Sequence, residues 1–534
     1  MTLTPRGLER EAAALRDLAD NLGRSWAAVA ETRTTIGRER GVLRLFGVDG
    51  LDRDGRPLAA EVADRFVLDD SDRLAAGIAL PFAVALLEYD ITPQRLALDV
   101  ASGAVDLRLE SELLARPERR SAAAAEVKRL IGLALDRFDA NRVARSELLE
   151  LFDDPPRPWV GGSLVEPAVL EGAVEARTLA MAGTDVVRVE VPVGRELVRR
   201  LGERGVEVST WRSPRRAKAV DPADDAPSGS QRGLAVLRQV LDGAAAARHG
   251  YVRLMTAPPV LGGPEAAVVA ALERVDLVEV DLAAEVVSGG VDPARAIADH
   301  DWSCRVHRRA GTSILLGAGP LAVAPELAAG VNSDVATRAG RALGLQLLGA
   351  ACARAAGVPA GAIIVGGVPT WLIGEPDGPA RAVAEVALRR AILGDHPLAL
   401  VEPQPAEGGS QWLYLVAAIL PSAPAGALIV RRTRARDRRI ASVEARAAAA
   451  VAAGVASSLP SRSMSGVAAD HARGAARTAR ETLERLAVDG WDWLVGDTGP
   501  SGRGGIGGDA VIARASRRDV VDDLLGGSGR GGTL

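Results

Sequence analysis

Eight short apolar runs between Trp159 and Glu402, each followed by a helical stretch, limit what this chain can fold into more than any other feature. They are Trp159–Glu166, Asp185–Val191, Val206–Trp211, Tyr251–Thr256, Val275–Val280, Thr312–Gly317, Ala362–Gly367 and Leu398–Glu402. Runs this short, rich in Val, Ile and Leu and alternating with amphipathic segments, read as buried parallel strands joined by crossover helices. Eight in succession predict an α/β fold, a closed (β/α)8 TIM barrel. Such a barrel places its chemistry at the C-terminal ends of its strands.

The flanks read differently. Residues 1–151 carry helical spacing only, over Leu8–Glu31, Ala59–Asp69, Ser71–Tyr89, Thr92–Ser102 and Ser121–Leu151. The proline-rich step Asp153–Pro158 leads into the barrel, expected over residues 152–409. Residues 410–497 are expected to hold C-terminal helices, and 498–534 form a glycine-rich tail.

Composition narrows the function classes. The formal net charge of −4 provides no basic field, so nucleic acid is not an expected partner. No apolar run approaches the ~18 residues a membrane helix needs, and the first thirty residues lack the apolar core of a signal peptide. A soluble, cytoplasmic protein is expected. Cys304 and Cys352 have no CxxC spacing, so no disulfide framework or thiolate metal site is implied. Only two lysines occur, Lys128 and Lys218, and neither follows a barrel strand as an attacking amine would.

The expected strand ends supply Glu166, Glu190, Trp211, Thr256, Asp281, the Gly317–Gly319 turn, Gly366, Gly367 and Glu402. Glycines there let backbone N–H groups approach a ligand. Ser410, within Gly408–Gln411, opens a helix just past the last expected strand, where barrels often hold phosphate. Ser228, Ser230 and Gln231 form a second such start, for which ordinary N-capping is the competing reading. Glu190 and Asp281 are candidates for a substrate's charged groups. The carboxylates have no histidines at ligand spacing, so no metal site is expected. His249, His300, His307 and His396 precede strands and read as structural, and His471 falls on a C-terminal helix. No G-x-S-x-G, P-loop or D-x-H-x-x-G pattern is present, and no residue can be named as catalytic from these patterns.

The segment Thr34-Thr35-Ile36-Gly37-Arg38-Glu39-Arg40-Gly41-Val42-Leu43-Arg44-Leu45-Phe46-Gly47-Val48-Asp49-Gly50 resembles the opening of the large (alpha) subunit of D-lysine 5,6-aminomutase. Likeness continues at Gly183-Thr184-Asp185-Val186-Val187, Tyr251-Val252-Arg253-Leu254, Pro264-Glu265-Ala266-Ala267, Leu272-Glu273-Arg274-Val275-Asp276-Leu277 and Gly504-Gly505-Ile506-Gly507-Gly508-Asp509-Ala510-Val511. The order holds over nearly the whole chain. The resemblance implies a barrel that cradles pyridoxal phosphate. It also implies a small beta-type partner subunit that carries adenosylcobalamin and supplies the Schiff-base lysine. The implied reaction is a radical 1,2-shift of a terminal amino group on lysine or a related diamino acid.

Several family contacts are replaced. Val191 and Glu196 stand where the family has an arginine and a serine that meet the cofactor. Thr256-Ala257-Pro258-Pro259-Val260 replaces a stretch holding a ring-stacking tyrosine, and no lysine occurs near Ala406–Glu407. Arg195 is the candidate for a replacement phosphate contact, whereas Arg253, inside a strand, reads as part of a buried ion pair. Three readings follow: a working alpha-type subunit, a paralogue that has become a binding or scaffold protein, or a barrel enzyme of unrelated chemistry using Glu166, Glu190 and Asp281.

Overall fold

A computed structural model describes residues 5–52, 57–67, 70–155, 157–164, 168–190, 230–258, 261–287, 291–317, 333–366, 371–372, 375–394, 396–401, 428–431, 466–491, 493–494, 512–514, 521–522 and 525. The N-terminal part is mostly helical, but it also holds a short strand that the helical spacing did not predict. Helix Pro5–Ala30 leads to a short strand, β1 (Arg33–Thr35), then helices Ile36–Leu45 and Leu58–Val67, and finally the long helix Pro117–Phe152. Local signals set the ends. Thr92 caps the Pro93–Ser102 helix by accepting from Arg95 N, and Gly103, at φ 81°, closes it in the left-handed region. The expected single helix Ser71–Tyr89 is two, Ser71–Ala76 and Ala79–Tyr89, because Gly77 ends the first at φ 77°.

The barrel closes with eight parallel strands: β2 (Trp159–Ser163), β3 (Val186–Glu190), β4 (Arg253–Ala257), β5 (Leu277–Val280), β6 (Ser313–Leu316), β7 (Ile363–Gly366), β8 (Leu398–Val401) and β9 (Leu428–Arg431). Two expectations need correction. Val206–Trp211 lies outside the described residues. β3 pairs directly with β4, from Val186↔Arg253 to Glu190↔Ala257, which leaves no seat for a strand between them. The closing strand is instead Leu428–Arg431, inside the stretch expected to be helical, so the barrel runs past residue 409. It pairs with β8 on one side and β2 on the other. A last strand, β10 (Ile512–Arg514), runs antiparallel to β1.

Alternation along the strands divides the core. Trp159, Val186, Met255, Leu277, Leu315, Ile364 and Ala399 fill the barrel interior. Outward residues such as Val187, Val189, Leu254 and Val278 pack under the helices. At the N-terminal end of the strands, buried Asp276 accepts from Arg145 Nε, Arg238 Nη1, Tyr251 Oη and Leu254 N, each at 2.9 Å. Burial alone would raise its pKa, but Arg238 and Arg145 outweigh that and hold it below the ordinary value. This clamp ties the long N-terminal helix to the barrel floor and leaves the opposite end for chemistry.

Candidate functional site at the barrel mouth

Strand parity puts charge where barrels usually bury hydrocarbon. Val186 faces the interior, so Arg188, two residues on, faces it too. By the same rule Glu279 follows Leu277 on β5. Arg188 Nε and Nη2 both donate to Glu279 Oε2, at 3.0 and 2.9 Å. The two side chains are 6% and 1% exposed. Burial works to lower the Arg188 pKa, but Glu279 and Glu190 reverse the direction and keep the guanidinium charged. Glu190, one inward step further up β3, is 53% exposed, and its Oε1 lies 3.8 Å from Arg188 Nη1. Ser163 on β2 is the register partner of Arg188. Its Oγ is buried and has no hydrogen-bond partner among the described residues. Asp281, just past β5, accepts from Ala284 N through Oδ1 at 3.0 Å.

The described mouth thus sets one guanidinium against three carboxylates. Such a set accepts an ammonium group readily and repels a dianion. Glu190 ends β3, and Asp281 directly follows β5. Arg188, Glu279 and Ser163 are not among the residues expected at the mouth from the sequence. The available signal was a charge at an inward position within the β-branched runs Val186–Glu190 and Leu277–Val280.

The other candidates have different places. Ser230 Oγ accepts from Gly233 N and caps the Gln231–Arg248 helix. Gln231 Nε2 donates to Glu273 Oε1, four residues ahead of β5 and away from the mouth. Gly366 ends β7, and a Cβ there would lie 2.5 Å from the Gly317 carbonyl oxygen, so its bareness serves backbone packing. Arg195, Ser228, Gly367 and Ser410 lie outside the described residues, as do Glu166, Trp211, Glu402 and Lys218. Lys128 is exposed on the long N-terminal helix. Arg253 sits at the opposite end of the barrel, 3.6 Å over the Trp159 ring and paired with Asp154. His300 and His307 are buried, and burial pushes their pKa values down to about 4 and about 3.

Residues 8–203 and 226–410 match the family described as the D-lysine 5,6-aminomutase TIM-barrel domain of the alpha subunit. The chain belongs to the D-lysine 5,6-aminomutase alpha-subunit family. A lysine 5,6-aminomutase alpha subunit from Fusobacterium nucleatum is 24% identical over 398 residues, 74% of this chain and 71% of that one. One from Acetoanaerobium sticklandii is 25% identical over 288 residues, 54% of this chain and 51% of that one, so this match spans about half its length. No helix among the described residues is long and apolar enough to cross a membrane.

The residues that made the family legible are mostly scaffold. Glu39 accepts from Thr34 Oγ1 and Ile78 N, Arg40 donates to Asp64 at 2.6 Å, and Arg44 donates to Glu265 at 2.9 Å. Glu273 takes Arg137 as well as Gln231. Glu39 and Arg40 tie the N-terminal elements to one another, and Arg44 and Arg137 tie them to the barrel through Glu265 and Glu273.

Proposed function

We propose that the chain is the alpha-type component of an aminomutase assembly, receiving lysine or a related diamino acid at its barrel mouth. A small beta-type partner subunit brings adenosylcobalamin and the Schiff-base lysine, as the family implies; of this chain's two lysines, Lys128 is exposed on the long N-terminal helix and Lys218 lies outside the described residues. Family membership supports the class. The observation that carries the substrate reading is the acidic mouth, with Glu190 beside the Arg188–Glu279 pair and Asp281 just past β5. Within it, Glu190 binds an ammonium group and Arg188 is held charged and oriented by Glu279.

Pyridoxal phosphate, which the family implies and which would serve as an electron sink, does not fit the described residues. Its phosphate is a dianion. The one guanidinium described at the mouth, Arg188, is already neutralised by Glu279 and stands beside Glu190, so a dianion there meets like charge, while Ser230 and Gln231 are committed elsewhere. The mismatch favours a second reading, a paralogue that retains barrel and amino-acid binding without catalysis. The chain co-purified with its cobalamin-type partner, mixed with pyridoxal phosphate and desalted, separates the two. Retained pyridoxal absorbance that shifts on adding D-lysine upholds the working mutase. Complete loss with the partner still bound leaves the binding protein.

A further inference from the structure

We infer that Arg188 and Ser163 form a carboxylate subsite inside the barrel mouth, with Glu279 as the residue that positions it. The inference deepens the reading above and rests on an amino acid entering the mouth. Glu279 takes both Nε and Nη2 of Arg188 on one oxygen. That leaves Nη1 as the outward donor, 3.8 Å from Glu190 Oε1 and beyond hydrogen-bond reach of it. Across the β2–β3 register, adjacent strands bring Ser163 beside Arg188, about 4.8 Å apart in backbone. Its buried hydroxyl has no hydrogen-bond partner among the described residues, a cost a protein ordinarily avoids. One planar anion would accept from both donors at once.

The group that fits must also sit beside the half-exposed carboxylate of Glu190. An α-amino acid carries a carboxylate and an ammonium on one carbon. Its carboxylate would take Arg188 Nη1 and Ser163 Oγ while its α-ammonium faces Glu190. The side-chain ammonium of a diamino acid then points outward, toward whatever the partner subunit presents. Phosphate would bring two negative charges beside Glu190 and Glu279 and fits less well. Glu279 never meets the ligand. It fixes which edge of the guanidinium is offered.

The test is calorimetric binding of D-lysine and of 1,5-diaminopentane, which lacks the carboxylate, to the full chain in complex with its partner. Ser163→Ala and Arg188→Lys are the variants, because both retain the buried charge balance. Each should weaken D-lysine by about tenfold or more, the loss of one charge-assisted hydrogen bond, and leave 1,5-diaminopentane unchanged. Lysine affinity untouched by both variants overturns the subsite, and so does an equal loss for the two ligands. Displacement of lysine by inorganic phosphate would also overturn it, reassigning the donors to a phosphate. A wild-type complex that binds neither diamine sinks the amino-acid reading itself, which the variants alone would not.

Discussion

Arg188 and Glu279 are each other's solvation. A buried ion pair is worth little against well-packed hydrocarbon, yet removing one partner strands a charge at a cost of about 3–5 kcal/mol. Glu279→Leu should therefore lower the urea unfolding free energy by that amount, while the double variant Arg188→Met with Glu279→Leu recovers most of it. Failure of the double variant to recover would mean that the pair is held by more than mutual charge. His307 makes a pH-dependent case. It is buried, both ring nitrogens have no hydrogen-bond partner among the described residues, and its pKa is pushed down to about 3. Between pH 6.5 and about 3 the unfolded chain binds a proton there and the folded one does not, so stability falls with falling pH. On the same helix, burial pushes Asp301 up to about 6, and that group titrates in the opposite sense from pH 6 downward. Whole-protein curves would mix the two, so the comparison has to be with His307→Leu. The variant should gain stability over the wild type by about 2 kcal/mol more at pH 5 than at pH 7.5, read by chemical denaturation at each pH.

Between elements, bare backbone sets the approach. Helices Val335–Ala355 and Gly466–Asp489 cross on small residues. A Cβ on Gly340 would stand 2.5 Å from the Ala475 carbonyl oxygen and 2.6 Å from Thr478 Cβ, and one on Gly344 would stand 3.0 Å from Ala479 O. Gly340→Ala cannot be absorbed by a rotamer, so the helices must part. A loss of about 1–3 kcal/mol follows, checked by thermal unfolding. Gly361→Ala, where nothing lies within 4 Å of the added carbon, is the control and should be near neutral. Much at this scale was legible in the sequence, because caps and prolines act locally: Asp292 before Pro293, Thr92 before Pro93, Asp334 before Val335. Seven of the eight barrel strands follow from short β-branched runs for the same reason. Neither the Gly340 crossing nor the Arg188–Glu279 pair could be read that way. Each depends on which element lies opposite, and residues 91 apart in sequence carry no local sign of their meeting. At the mouth, Glu190 and Asp281 were visible as strand-end acids, whereas Ser163 gains meaning only from its register with Arg188.

Closure belongs to the whole molecule. A barrel must count to eight, and apolar pattern alone does not say which runs are counted. By pattern, Val206–Trp211 (Val-Glu-Val-Ser-Thr-Trp) reads as a strand at least as well as Leu428–Arg431 (Leu-Ile-Val-Arg). The difference is pairing, since β9 alone can join β8 to β2, with Ala399 and Trp159 both in register with Leu428. The antiparallel ribbon of β1 with β10 and the ion pair of Arg38 with Asp522 then bring the two flanks of the barrel together, with Val521 and Leu525 entering the main core. Proline separates the two strand assignments because it cannot donate to a ladder. Ile429→Pro breaks the closing pairs and exposes strand edges on both sides, a loss of roughly 2–4 kcal/mol from unpaired buried amides, with lower thermal stability and aggregation through the opened edges. Val208→Pro removes a donor from a run for which the β3–β4 ladder leaves no seat, so the global unfolding transition should stay where it is. Were Val208→Pro to unfold the chain and Ile429→Pro to be tolerated, the strand order would be wrong. Arg188 would then face the interior from a different register, and its pairing with Glu279 would not hold.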